Sequence, residues 1–270
     1  MQKKIVAETL SCSTDSSWPA VDMFQTFVFP GDKPLNVHVF RLDVNHPLIS
    51  GNKFYKLRPW LEKAQKQQAG LLSCGGAWSN HLHALAAAGQ QADIAVFGLV
   101  RGLERDNLTV TLEDCIDMGM QLIPITRTEY QNRYQSDFAV QYQQQLGMKT
   151  LWVPEGGTDE NAVSACEYIG LEINRCQEKH RFDSVWLAVG SGGTLAGIAR
   201  SLDISLPLYA VPVLKHWDDV RYRVNSYLKP EQAERINWIG EGNFGGFGRC
   251  NQQQINFHAK LEHLSGIPFD

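Results

Sequence analysis

An apolar run with strand character, Ser184-Val185-Trp186-Leu187-Ala188-Val189, leads straight into the turn Gly190-Ser191-Gly192-Gly193-Thr194, which opens onto Leu195-Ala196-Gly197-Ile198-Ala199-Arg200. Strand, tight turn and small-residue helix start in so few residues confine the segment to a βα unit. Glycines allow positive φ and a close approach of backbone to a ligand, and the first amides of the following helix, with its dipole, attract an anion. One reading is a phosphate cradle made by Gly190, Ser191, Gly192, Gly193 and Thr194, with the Ser191 and Thr194 hydroxyls as further donors. The other is a turn that only packs helix against strand. Spelling narrows the first reading. A P-loop ends in Gly-Lys-Ser/Thr, and here Gly193 stands directly before Thr194. A dinucleotide fingerprint needs glycine or alanine where Leu195 stands and an acidic residue ending the next strand, and Leu206–Val213 ends without one.

The rest of the chain alternates in the same way. Apolar runs predict strands near 71–74, 94–99, 121–125 and 150–153, with helices near 79–90, 107–119 and 129–146 between them. A second set follows: a helix near 159–178, strand 184–189, a helix from 193, strand 207–213, a helix near 217–228 and a strand near 235–239. Alternating strands and helices predict an α/β fold of parallel sheets. Gln141-Tyr142-Gln143-Gln144-Gln145 reads as the polar face of a helix, because Phe138, Tyr142 and Leu146 keep a four-residue apolar spacing through it. Two motif-bearing sets of βα units predict two domains with a ligand cleft between them.

Lys53 follows the turn-forming stretch Pro47-Leu48-Ile49-Ser50-Gly51 and opens an amphipathic helix in which Leu57, Leu61 and Ala64 mark one face. Lys56 lies three positions on, on the same side. An amine near another cation, or partly desolvated, is suited to attack an aldehyde, and a second lysine is suited to a phosphate. Cys74-Gly75-Gly76-Ala77-Trp78-Ser79-Asn80-His81 repeats the strand, turn, helix pattern. Ser79 is placed either as a helix N-cap or as a polar grip on a carboxylate or cofactor oxygen. His81 and His83 diverge on a helix and lack the further ligands a metal site needs.

Four stretches fall in order along the chain: Gly51-Asn52-Lys53-Phe54-Tyr55-Lys56-Leu57, Gly75-Gly76-Ala77-Trp78-Ser79-Asn80-His81, Pro154-Glu155-Gly156-Gly157-Thr158 and Gly190-Ser191-Gly192-Gly193-Thr194-Leu195-Ala196-Gly197. Their co-occurrence resembles the fold type II pyridoxal-phosphate enzymes of the tryptophan-synthase-β type, within them the D-cysteine desulfhydrase and 1-aminocyclopropane-1-carboxylate deaminase group. The resemblance implies two open twisted parallel-sheet domains with helices on both faces. Residues 1–53 and 156–270 would form a larger cofactor-binding domain, and 54–155 a smaller inserted one. It implies pyridoxal 5'-phosphate as cofactor, Lys53 as its Schiff-base lysine, Asn80 on its phenolic oxygen, and Lys56 with residues 190–194 on its phosphate. Ser79, Asn80, His81 and Phe247 would face a small amino-acid substrate, with Ser79 also assisting proton movement, and the assembly would be a homodimer.

Two departures from the family pattern accompany this. Phe247 stands where the family often has an active-site tyrosine, so the phenol hydroxyl is absent. The family usually continues beyond Gly266-Ile267-Pro268-Phe269-Asp270 into segments that contact substrate and the pyridine nitrogen, and their absence predicts a weakened electron sink. Either an active lyase or deaminase, an impaired cofactor-binding relative, or another lyase of the superfamily such as a sulfhydrylase is compatible with that pattern.

Composition bears on setting and partners. A 43% hydrophobic content over 270 residues suffices for substantial cores. The net charge of −4 gives no basic footprint for nucleic acid. No apolar run reaches membrane-spanning length, the N-terminal residues lack a long apolar leader, and the six cysteines show no Cys-x-x-Cys spacing. These features point to the cytoplasm and reduced thiols.

Overall fold

The computed structural model describes residues 23–104, 106–214, 217–240 and 250–269. In chain order its elements are β1 (Phe24–Phe29), β2 (Leu35–Phe40), α1 (Asn52–Gln67), β3 (Gly70–Gly76), α2 (Asn80–Ala92), β4 (Val96–Arg101), α3 (Val110–Asp117), β5 (Gln121–Ile125), α4 (Arg127–Gln131), α5 (Phe138–Gln143) and β6 (Thr150–Trp152). There follow α6 (Glu160–His180), β7 (Val185–Val189), α7 (Gly193–Ser201), β8 (Leu208–Pro212), α8 (Asp218–Ser226), α9 (Pro230–Glu234), β9 (Ile236–Trp238) and α10 (Gln252–Ser265). The chain divides into two compact units. One contains Asn45–Ala162, and the other contains Val21–Val44 and Val163–Asp270 over the described residues. Among those residues no helix is long and apolar enough to cross a membrane.

The first unit is built on a four-stranded parallel sheet of order β5-β4-β3-β6. Period-two alternation sends its apolar side chains to opposite faces. Leu71, Val96 and Val100 pack with Leu57, Leu61 and Ala64 of α1, Leu82 and Leu85 of α2, and Leu112 of α3. Leu72, Cys74, Phe97 and Leu99 pack on the other face with Tyr130, Phe138 and Tyr142. Helices therefore flank both faces, and β3 is a near-continuous buried run, as a strand covered on both sides requires.

The expected single helix near 129–146 is two short ones, α4 and α5. Thr126 and Glu129 close a capping box on α4. In the turn that follows, Gln135 Nε2 donates to Asn132 Oδ1 at 3.2 Å, and Glu155 Oε2 accepts from Arg133 Nε at 2.6 Å and from Tyr134 at 3.2 Å. Asn132, Ser136 and Asp137 are weak helix formers, so these side-chain bonds prevail over a continuous helix. The Phe138, Tyr142, Leu146 spacing nevertheless faces the core as expected.

The second unit carries a three-stranded parallel sheet of order β7-β8-β9 and the antiparallel pair β1-β2. Helix α6 packs against α7 through small residues. An ideal Cβ on Gly197 would lie 2.5 Å from Cys166 Cβ and 2.6 Å from the Val163 carbonyl oxygen, and one on Gly170 would lie 2.2 Å from Ser201 Oγ. Ser201 Oγ donates to the Glu167 carbonyl at 2.7 Å, and Arg200 meets Glu167 at 3.2 Å and the Tyr227 carbonyl at 2.7 Å. Replacing Gly197 with alanine is expected to cost about 1–3 kcal/mol by overpacking this contact. The readout is a lower urea midpoint with an unchanged slope.

Candidate active site

In the β5-β4-β3-β6 sheet the chain runs outward from β3 to β4 and β5, then returns to pair β6 on the opposite side of β3. The β3–β6 boundary is thus a topological switch point, and the crevice outside its carboxyl ends is where open α/β sheets bind ligands. The loop after β3 leads through Ser79 to Asn80 at the start of α2, the loop after β6 carries Glu155 to Thr158, and the first turns of α1 bring Lys53 and Lys56. Lys56 is only 1% exposed. Its Nζ donates to Thr158 Oγ1 at 3.1 Å and lies 3.5 Å from the Gly156 carbonyl oxygen, while Trp60 Nε1 donates to the Gly157 carbonyl at 3.3 Å. A buried ammonium is tolerable only when hydrogen bonded, and these oxygens help to solvate it. Lys53 is half-buried, and its Nζ donates to Asn52 Oδ1 at 3.2 Å.

The sequence around β3 explains how α2 reaches this place. Ser79 is the N-cap of α2, its Oγ accepting from Leu82 N at 3.2 Å. A Cβ on Gly75 would sit 2.6 Å from that Oγ, so glycine is what lets the helix start close over the strand. Asn80 begins the helix and is exposed. His81 turns inward and is 5% exposed, with Nε2 2.8 Å from Ser73 Oγ, which in turn donates to the Val153 carbonyl at 2.8 Å. Burial, reinforced by the charges of Lys53 and then Lys56, holds the imidazole well below its ordinary range, so it is neutral. His83 faces Asp114, 3.5 Å away.

The Gly190–Thr194 turn of the second unit folds as the sequence indicates, between β7 and the start of α7. Gly192 is the N-cap with φ +91°, in the left-handed region, and its Cβ would lie 2.4 Å from Val224 Cγ2, so both conformation and space demand glycine. No side chain caps this helix. Among the described residues an added Cβ on Gly190 meets nothing within 4 Å. Thr194 is buried and Ser191 half-buried.

Sequence reasoning passed over Ser73 within the strand near 71–74 and gave Glu155 and Thr158 no role beyond their place in the Pro154-Glu155-Gly156-Gly157-Thr158 stretch. Thr158 is the acceptor for Lys56, and Ser73 holds His81. Glu155 anchors the same loop: Tyr130 OH donates to Oε1 and Arg133 Nε to Oε2, and Arg133 stacks over Tyr130 at 4.3 Å. Burial, then Glu155, pushes the Tyr130 phenol up. Phe247 lies outside the described residues.

In the first unit an amine at a helix start stands near a buried lysine, a pair suited to an aldehyde, and in the second a glycine opens a helix N-terminus suited to an anion such as a phosphate ester. The comparisons agree. Residues 31–214 match the family described as pyridoxal-phosphate dependent enzyme, and the protein belongs to that family. Its members use pyridoxal phosphate, and the parallel sheets flanked by helices are the fold type II arrangement. The chain is 34% identical over 185 residues to a Thermotoga maritima protein provisionally named 1-aminocyclopropane-1-carboxylate deaminase, covering 66% of this chain and 57% of that protein. It is 30% identical over 200 residues to a D-cysteine desulfhydrase of Yersinia pestis, covering 70% of this chain and 60% of the relative. The matches thus span less than two thirds of the length of these two relatives. A crystal structure of an ACC deaminase homologue shares the fold, with a TM-score of 0.73, 23% identity, and coverage of 87% of this chain and 75% of that one.

Two outcomes follow from the site. Thr158→Val leaves the buried Lys56 ammonium short of an acceptor and is expected to destabilise the protein by about 1–3 kcal/mol in urea unfolding. The folded pKa of His81 lies well below its unfolded value of about 6.5, so the unfolded chain takes up a proton the folded chain refuses. Its contribution to stability is full above about pH 6.5 and falls by about 1.4 kcal/mol per unit below it. Urea unfolding across that range should show the fall, and His81→Asn should flatten it.

Proposed function

We propose that the protein is a pyridoxal-phosphate-dependent lyase or deaminase of small amino acids. The substrate is either D-cysteine, converted with water to pyruvate, ammonia and hydrogen sulfide, or 1-aminocyclopropane-1-carboxylate. The observation that carries this reading is the pair Lys53 and Lys56, one half-buried and one buried, on the helix that opens at the β3–β6 switch point. The names of the Thermotoga and Yersinia relatives support the two substrate classes.

When bound, pyridoxal phosphate supplies an aldehyde that condenses with amines and an electron-poor ring that stabilises negative charge at the substrate's Cα. Lys53 would supply the amine that holds the cofactor through its aldehyde. Asn80, exposed at the start of α2, would donate to the phenolic oxygen. Ser79 keeps its hydroxyl hydrogen and a second lone pair while the first caps α2, so the hydrogen would donate to the substrate carboxylate or the second lone pair would take up the moving proton. His81 and Phe247 complete the substrate side. Lys56 would offer positive charge to the phosphate, and the turn of Gly190, Ser191, Gly192, Gly193 and Thr194 would offer it amides. In this reading residues 54–155 are the smaller domain and 1–53 with 156–270 the cofactor-binding one, the active form is a homodimer, and the setting is the cytoplasm. For a D-cysteine-like substrate Cα loses a proton and Cβ loses the thiol. The cyclopropane substrate has no proton at Cα, so its ring opens by a different route.

The test is borohydride reduction of the protein with pyridoxal phosphate, peptide mapping, and assay of pyruvate release from D-cysteine and of 2-oxobutanoate release from the cyclopropane substrate. The expected result is an adduct on Lys53, turnover of one substrate, and a loss of at least about a thousandfold in Lys53→Ala. An adduct on another lysine, or Lys53→Ala retaining full turnover, would sink the assignment.

A further inference from the structure

His46 Nδ1 accepts two backbone hydrogen bonds, from the Leu48 amide at 3.1 Å and from the Ile49 amide at 2.9 Å. A backbone N–H can only donate, so Nδ1 is a bare lone pair and the one hydrogen of the neutral ring is on Nε2. The Gln91 side-chain amide stands 3.0 Å from Nε2, and a half-turn of that amide sets its oxygen against the hydrogen. His46 thus ties the last turn of α2 to the loop that enters α1. A side-chain acceptor serving an amide two residues on is the pattern that asparagine and aspartate make at turns. Burial, opposed in part by the Gln91 bond, holds the imidazole below its ordinary range, so the lone pair stays available at neutral pH.

The loop that this lone pair shapes leads directly to Lys53. Ile49, whose amide it receives, is 1% exposed and anchors the loop in the core of the first unit. Gly51 is the N-cap of α1, with φ +67°, and a glycine has no side chain with which to cap the helix. The start of α1 therefore depends on what precedes it and packs on it. Two contacts fold the loop back onto the first turn: the His46 ring stacks on Phe54 with centroids 6.4 Å apart, and Asn45 Nδ2 donates to the Tyr55 hydroxyl at 3.1 Å. Phe54 and Tyr55 are the two residues that directly follow Lys53.

We propose that His46, through its bare Nδ1, is a positioning residue for Lys53: it holds the turn from which α1 opens and, with Asn45, steadies the residues that follow the lysine. It acts through the backbone, so its loss lowers the fraction of molecules in which the amine is in place, and capture of the aldehyde slows by that fraction. The proposal rests on Lys53 being the cofactor lysine and adds the residue that sets where its amine starts.

The first test is ¹⁵N NMR of the histidine-labelled protein without cofactor, with His46 assigned by the signals lost in His46→Asn. Nε2 protonated and Nδ1 bare is the expected state, and protonation at Nδ1 would overturn the proposal. The second compares rates of borohydride-trappable condensation of Lys53 with pyridoxal phosphate. His46→Ala is expected to be about tenfold slower than the parent, and His46→Asn, whose Oδ1 can stand where Nδ1 does, to recover most of the rate. Affinity for pyridoxine 5'-phosphate, which has no aldehyde, is expected to stay within about twofold in both variants. An adduct on Lys53 formed equally fast in parent and His46→Ala would overturn this proposal alone, whereas no adduct on Lys53 in the parent would overturn the functional reading beneath it. His46→Asn as slow as His46→Ala, or loss of pyridoxine phosphate affinity along with the rate, would also count against His46 as a positioning residue and overturn the proposal.

Discussion

A buried ammonium organises the first unit. Lys56 is inside the protein at 1% exposure, and such a group is costly unless oxygens replace its water. Those oxygens, the Gly156 carbonyl and Thr158 Oγ1, belong to a loop about a hundred residues further along the chain. They arrive only because β6 pairs with β3, at Gly70 to Leu72, and delivers the loop at the sheet's carboxyl edge. Other features hold that loop still: Trp60 bonds the Gly157 carbonyl from one side, and Glu155, gripped by Tyr130, Arg133 and Tyr134, pins it from the other. His81 remains neutral beside two lysines for the same reason that Lys56 needs its oxygens, since each added charge in a dry place costs more than the last.

The two strand–glycine–helix segments look alike in sequence but solve different problems. At α2 a serine caps the helix, and Gly75 exists to make room for it. At α7 the cap position is a glycine with positive φ and, among the described residues, no side-chain cap.

Much of this was legible in the chain. Strand runs such as 121–125 and 184–189, the apolar face Leu57, Leu61, Ala64, and the turns at 75–80 and 190–194 carry their own signals of periodicity and spelling. The antiparallel pair β1-β2 was not read, although Pro30-Gly31-Asp32 between two six-residue strands marks the turn. Helix α10 likewise announces itself by the Asn251 and Gln254 capping box and by Gly266 at its end. What could not be read is long-range partnership. Nothing local to Thr158 or Ser73 says that one accepts from Lys56 and the other fixes a histidine, because those bonds exist only after β6 has found β3.

The central claim is that the helix start at the β3–β6 boundary presents Lys53 as the cofactor's amine. A crystal structure grown with pyridoxal phosphate tests it most directly. The account expects continuous density from Lys53 Nζ to the cofactor's aldehyde carbon, and density joining the cofactor to any other lysine, or a cofactor remote from Lys53, would contradict it.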